Sequence, residues 1–128
     1  MIEYLPSLPE DVVGFRVSGR ITRDDFRELA PVLRTAAETG EVRIVEVIGP
    51  EYEGLEPSAV VEDLKVGLEF LIGHRSALKR LAIVTDTEWV IRVIHLFVWL
   101  VPGEVRVFGL QELEEAKAWA AGMSESVS

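Results

Sequence analysis

The sequence has no cysteine, which excludes disulfides, thiolate catalysis and zinc sites built on sulfur ligands. It has two histidines, His74 and His95. They fall on different predicted helices with no Asp or Glu at ligand spacing around them, so no metal is expected. His74, beside Arg75, is placed to complement the negative end of its own helix. Basic residues are in deficit, 13 against 22 acidic ones, for a net charge of −9. Such a chain repels phosphate backbones and anionic lipid surfaces, and no nucleic-acid partner is expected. The ten glycines are dispersed and form neither G-x-G-x-x-G nor a phosphate-cradling loop, so no nucleotide or other cofactor is expected. A nucleophile elbow of the form G-x-S-x-G is also missing, and with no other catalytic motif the chain reads as a non-enzyme.

Long hydrophobic runs are missing too. The greasiest stretch, "WVIRVIHLFVWLV" from Trp89 to Val101, is about 13 residues broken by Arg92 and His95, whereas a spanning helix needs roughly 20. It is not read as transmembrane. The opening "MIEYLPSLPED" lacks the basic start, apolar run and small-residue cleavage site of a signal peptide, which makes the cytoplasm the expected location.

What is present suits one globular domain. A chain of 128 residues is about one domain long. The expected domain covers residues 1–122, with "MSESVS" at 123–128 as a disordered tail.

Along the chain, "IEYL" and "VVGFRVSGRI" alternate like two strands of a short antiparallel pair. Thr22 with Asp25 three residues on predicts a capping box and a helix to about Thr39, facing inward with Phe26, Leu29, Leu33 and Ala36. Pro31 inside it is expected to bend or restart that helix near Ala30. "VRIVEVIG" is nearly continuous in apolar residues, the pattern of a central strand covered on both faces. The loop "PEYEGLE" then leads to a second helix from Pro57 or Ser58, with Val60, Val61, Leu64, Leu68, Leu71 and Ile72 on one arc. "LKRLAIVTD" is a further strand, the greasy stretch a third helix over 87–101, and "VRVFGL" a last strand. A closing helix over about 111–121 turns Leu113, Ala116 and Ala120 inward. The fold class is α/β, a mixed five-stranded sheet with about four helices in the order ββαβαβαβα, and the alternation makes the later strands parallel.

Four pieces, "DLKxGL" in the second helix, an apolar strand ending before "DxxW", the strand "VRxF" and the closing "EEAxAW", together resemble the SpoIIAA-like family. That family is a branch of the STAS-type domains and is also likened to CRAL-TRIO lipid-binding folds. The resemblance covers nearly the whole chain and implies a small bacterial domain without an established activity. STAS antagonists of anti-sigma factors carry a phosphorylatable serine in an Asp-Ser pair at the start of the second helix. Here Ser58 follows Pro57 and no Asp-Ser pair exists, so Ser58 is read as a cap or first-turn residue and not as a phosphosite. The resemblance keeps a phosphorylation-regulated antagonist of a regulatory protein only as a further alternative.

Parallel sheets of open α/β folds bind ligands beyond the carboxyl ends of their strands. That position selects Tyr52, Asp86 and Trp89 as candidate ligand-binding residues. Their plainer roles are a loop anchor for Tyr52, a cap on the third helix for Asp86 with Thr87, and a hydrophobic plug for Trp89.

The third helix raises a separate question. Glu88, Arg92 and His95 share one narrow stripe, with Trp99 in the same sector and Glu88 spaced to pair with Arg92. The remaining residues cover an apolar arc of roughly 200 degrees, about twice what one sheet face buries. Val90, Ile94, Phe97, Val98 and Val101 are the candidate contact residues on that arc. Their cover is a neighbouring helix, a second copy of the chain in a homodimer, or an apolar small molecule or lipid. The functional expectation is a non-catalytic binding or interaction module that self-associates through 87–101. A carrier or sensor of an apolar molecule is the alternative.

Overall fold

The structure, a computed structural model, describes residues 1–9, 11–38, 40–59, 78–101 and 103–122. Most of the expected second helix, including Val60 through Ile72, lies outside the described residues, as do His74 and the tail 123–128.

The elements are β1 (Ile2–Tyr4), β2 (Val12–Ile21), α1 (Arg23–Glu38), β3 (Val42–Leu55), β4 (Leu78–Thr85), α2 (Glu88–Phe97), β5 (Glu104–Phe108) and α3 (Leu113–Ala120). They build one five-stranded sheet in the spatial order β1-β2-β3-β4-β5. β1 is antiparallel to β2, while β2, β3, β4 and β5 run parallel. The expected mixed α/β sheet is therefore the observed one, with β3 in its centre.

The central place of β3 follows from its side chains, which alternate between two buried layers. Val42, Ile44 and Ile48 join Phe15, Val17, Leu29, Leu33, Ile83 and Val90 in the layer beneath α1 and α2. Val45 and Val47 join Val12, Ala82, Val84, Phe108, Ala116 and Trp119 beneath α3. Burying Val or Ile side chains on both faces contributes roughly 1.5–3 kcal/mol each before entropy is counted.

α1 starts as the capping box predicts. The Asp25 N–H donates to Thr22 Oγ1 at 3.1 Å and the Thr22 N–H donates to Asp25 Oδ2 at 3.0 Å. The helix then continues through Pro31 to Glu38 without the expected restart. Pro31 and Arg27 are both exposed, so the carbonyl that loses its donor at Pro31 faces water, which satisfies it.

The largest departure from expectation is the segment read as a loop, 50–56. β3 runs on to Leu55 beside β2, well past Ile48, where its pairing with β4 ends. Two irregularities let it do so: Val17 pairs with Ile48, yet Gly19 pairs with Tyr52 and Arg20 with Gly54. The extra residues on β3 form bulges, and Gly19 (φ 60°) and Gly54 (φ 111°) supply positive-φ positions there. Pro50 has no register partner on either neighbour, so its missing N–H removes no ladder bond.

Candidate functional site

Strand order decides where a site can form. Ligand crevices in open α/β sheets open at a reversal of strand order, and the parallel strands here follow one another in sequence without reversal. The carboxyl end of the sheet therefore has to be judged from its side chains.

Of the three residues selected there, two come together. Tyr52, on the extended part of β3, stacks on Trp89 in the first turn of α2, with ring centroids 5.9 Å apart and planes at 16°. Tyr52 packs against the core, while half of Trp89 remains exposed. Asp86 is directed elsewhere. It is exposed, and its Oδ1 accepts the Leu110 N–H at 3.2 Å, tying the end of β4 to the turn after β5. Glu112 Oε1 reinforces that turn by accepting the Gly109 N–H at 2.7 Å. Nor does Asp86 cap α2: the Thr87 N–H donates to the buried Thr85 hydroxyl at 3.1 Å, and Thr87 makes no side-chain cap. Ser58 lies exposed just after β3.

α2 divides into two faces. Val90 is buried in the sheet core and Ile94 packs against it, which removes Val90 from the contact residues selected by sequence. A residue sealed against the sheet has no surface to offer. Val98 and Val101 are half-buried, and Phe97 ends the α-helical segment. The outward face carries Trp89, Val93, Leu96 and Trp99, exposed by 50%, 47%, 64% and 76%. Arg92 lies within this row and His95 beside it, both exposed. The Glu88–Arg92 pair forms at 3.7 Å, with both side chains largely in solvent, where it contributes little stability.

The signal for this face was present in the sequence. A polar stripe marks the outward side of a packed helix, so Trp99, sharing the sector of Glu88, Arg92 and His95, had to point outward with it. Trp99 is also fixed in place. α2 tightens into a 3-10 turn at Val98–Leu100, and the Trp99 Nε1–H donates to the Leu96 carbonyl at 3.0 Å. That bond satisfies the indole within its own helix and leaves the ring's faces to solvent. The four residues together expose roughly 500 Å², most of it apolar, the size of the largest patch on a typical monomer, which is often a functional one.

The chemistry available here is apolar contact with a cationic centre. His95 is the described histidine, and among the described residues no group of three or more His, Asp or Glu gathers to hold a metal. Among the same residues no helix is long and apolar enough to cross a membrane.

Comparisons with known proteins agree with the architecture. The SpoIIAA-like family model matches residues 12–121. A solved structure, that of an uncharacterised protein from the DUF3478 family of Shewanella loihica PV-4 with a SpoIIAA-like fold, matches with a TM-score of 0.68 and 27% identity. The match covers 93% of each chain. No curated protein matches.

Proposed function

The chain belongs to the SpoIIAA-like family, and from that premise we propose that it is a non-catalytic binding module that self-associates through the outward face of α2. The observation that carries this reading is the exposed row Trp89, Val93, Leu96 and Trp99. Two indoles and a leucine in one row on a single helix form a surface that water covers at a cost, and isologous pairing is the commonest way for a small domain to cover it. Binding and not chemistry is supported by the use of the polar groups at the carboxyl end of the sheet. Thr85, Asp86 and Glu112 all accept backbone N–H groups, and so they serve the loops.

Sedimentation velocity of the wild type and of Leu96→Asp tests the reading. A wild-type dimer that Leu96→Asp converts to monomer supports it; a wild type that remains monomeric at every concentration overturns it.

A second reading, a carrier or sensor of a flat apolar molecule, is favoured by the Tyr52–Trp89 stack, whose exposed indole offers a face for a ligand. Native mass spectrometry of freshly purified protein separates the two. A bound organic molecule lost in Trp89→Ala supports the carrier.

A further inference from the structure

We infer that the partner on the outward face of α2 is a second copy of this chain lying antiparallel across it, so that Trp89 packs beside the partner's Trp99. The inference rests on the self-association proposed above and adds its geometry.

Area is the first argument. A self-complementary contact buries at most the roughly 500 Å² patch on each copy, about 1,000 Å² for the pair, which reaches the threshold of a specific interface. The same patch set against a featureless apolar surface lacks this self-complementarity.

Direction follows from Arg92. Along the middle of this face the order is Trp89, Arg92, Leu96, Trp99 at spacings of three and four residues, with the apolar Val93 on one flank and Glu88 and His95 on the other. In a parallel pair each Arg92 meets the partner's Arg92, two guanidiniums at one level of a desolvated seam, and the two helix dipoles align. An antiparallel pair with its two-fold axis at the level of Ile94 sets Trp89 against the partner's Trp99 and Arg92 against the partner's Leu96. The Arg92 stem then covers an apolar side chain while its head reaches an indole face, and the dipoles oppose. The Glu88–Arg92 pair stays at the rim in this arrangement. Because each chain carries a net charge of −9, two copies repel at long range, and added salt tightens the pair by screening.

The absence of native cysteine makes the geometry directly testable with single-cysteine variants and a short bismaleimide. In an antiparallel pair, residues on one flank face the same flank of the partner. His95 is then displaced from the partner's His95 by about 3 Å along the axis, and Glu88 from the partner's Glu88 by about 18 Å, at 1.5 Å per residue. Both side chains are exposed and lie outside the apolar row, so His95→Cys and Glu88→Cys keep the wild-type sedimentation. The expected result is a covalent dimer of His95→Cys and a monomer band for Glu88→Cys on a denaturing gel. A wild-type dimer in which His95→Cys does not crosslink, or Glu88→Cys does, overturns the antiparallel arrangement and leaves self-association standing. A wild type that sediments only as monomer overturns both.

Discussion

Arg43 and Arg80 are register partners on β3 and β4, and their guanidinium groups donate to consecutive carbonyls at the end of α3. Arg43 Nη1 reaches the Ala120 oxygen at 2.8 Å and Arg80 Nη1 the Trp119 oxygen at 2.6 Å. Two cations thus meet the negative end of a helix of only eight residues, too short to be stable by itself. The two are not equivalent. Arg80 is buried, lies 4.9 Å over the Trp119 ring and pairs with Glu104 at 3.4 Å. Arg43 keeps a buried Nε that has no hydrogen-bond partner among the described residues, with Asp11 and Glu41 at 3.7 Å, both exposed.

Arg80→Ala is therefore expected to cost about 2–4 kcal/mol, since it removes a charged donor and a ring contact and leaves a cavity beneath α3. Arg43→Ala is expected to cost less, about 1–2 kcal/mol. Arg80→Lys recovers part of the loss by restoring charge without the planar stack. Urea unfolding of the three variants checks the ranking, and equal losses at Arg43 and Arg80 would contradict it.

Asp25 makes acid stability depend on one helix start. The Thr22 backbone N–H, donating to its carboxylate, is the largest cause holding its pKa below the usual 3.8; burial opposes the shift, and the Thr22 hydroxyl adds to it. Because the folded value is depressed, the stabilisation is fully present above the unfolded value and fades as pH falls past 3.8 towards the folded one. Asp25→Ala is expected to cost about 0.5–2 kcal/mol at neutral pH. The wild-type advantage over this variant narrows below pH 3.8. Chemical unfolding at neutral and acid pH measures it, and a gap independent of pH sinks the idea.

The two faces of α2 should respond oppositely to the same new charge. Val90→Asp places a carboxylate in the sheet core and is expected to destabilise the fold by about 3 kcal/mol or more. Leu96→Asp, on the outward face, changes the folding stability of the isolated chain by about 0.5 kcal/mol or less while abolishing association. Thermal melts of dilute protein together with sedimentation distinguish the two effects. A large loss of fold in Leu96→Asp would mean that the row is internally covered.

Gly54 tests the bulge that carries Tyr52. Its φ of 111° lies where a side chain is strained, so Gly54→Ala is expected to cost about 1–3 kcal/mol. The substitution also shifts the strand holding Tyr52 against Trp89. Near-ultraviolet circular dichroism should change with it, and an unaltered aromatic band with full stability would show that the bulge tolerates an L residue.

Much of this architecture could be read from periodicity, because alternation and 3.6-residue spacing are direct consequences of how side chains leave strands and helices. The two-faced apolar pattern of Val42–Ile48 marked the central strand, and Thr22 with Asp25 marked the start of α1 to the residue. Pro31 misled because proline's cost depends on whether water reaches the orphaned carbonyl, which is a matter of where the helix faces. The 50–56 segment misled because Pro50, Gly54 and three glutamates are turn-like in isolation, whereas a bulged strand accepts them when β2 is beside it and β4 has ended.

That α2 is more apolar than one buried face requires, that it carries a polar stripe, and that no cysteine or glycine-rich loop provides an alternative chemistry can all be read along the chain alone. Which apolar residues stay outside depends on how the helix docks. Docking on the sheet takes Val90 and Ile94 into the core and leaves Trp89, Val93, Leu96 and Trp99 in water. The fold likewise sets Asp86 to brace a neighbouring turn and Arg43 and Arg80 to hold α3. The physical reason is the same in each case. Periodicity along a chain fixes the relative angles of its side chains, but the absolute rotation of a helix and the partners of a long polar side chain depend on surfaces contributed by residues far away in sequence.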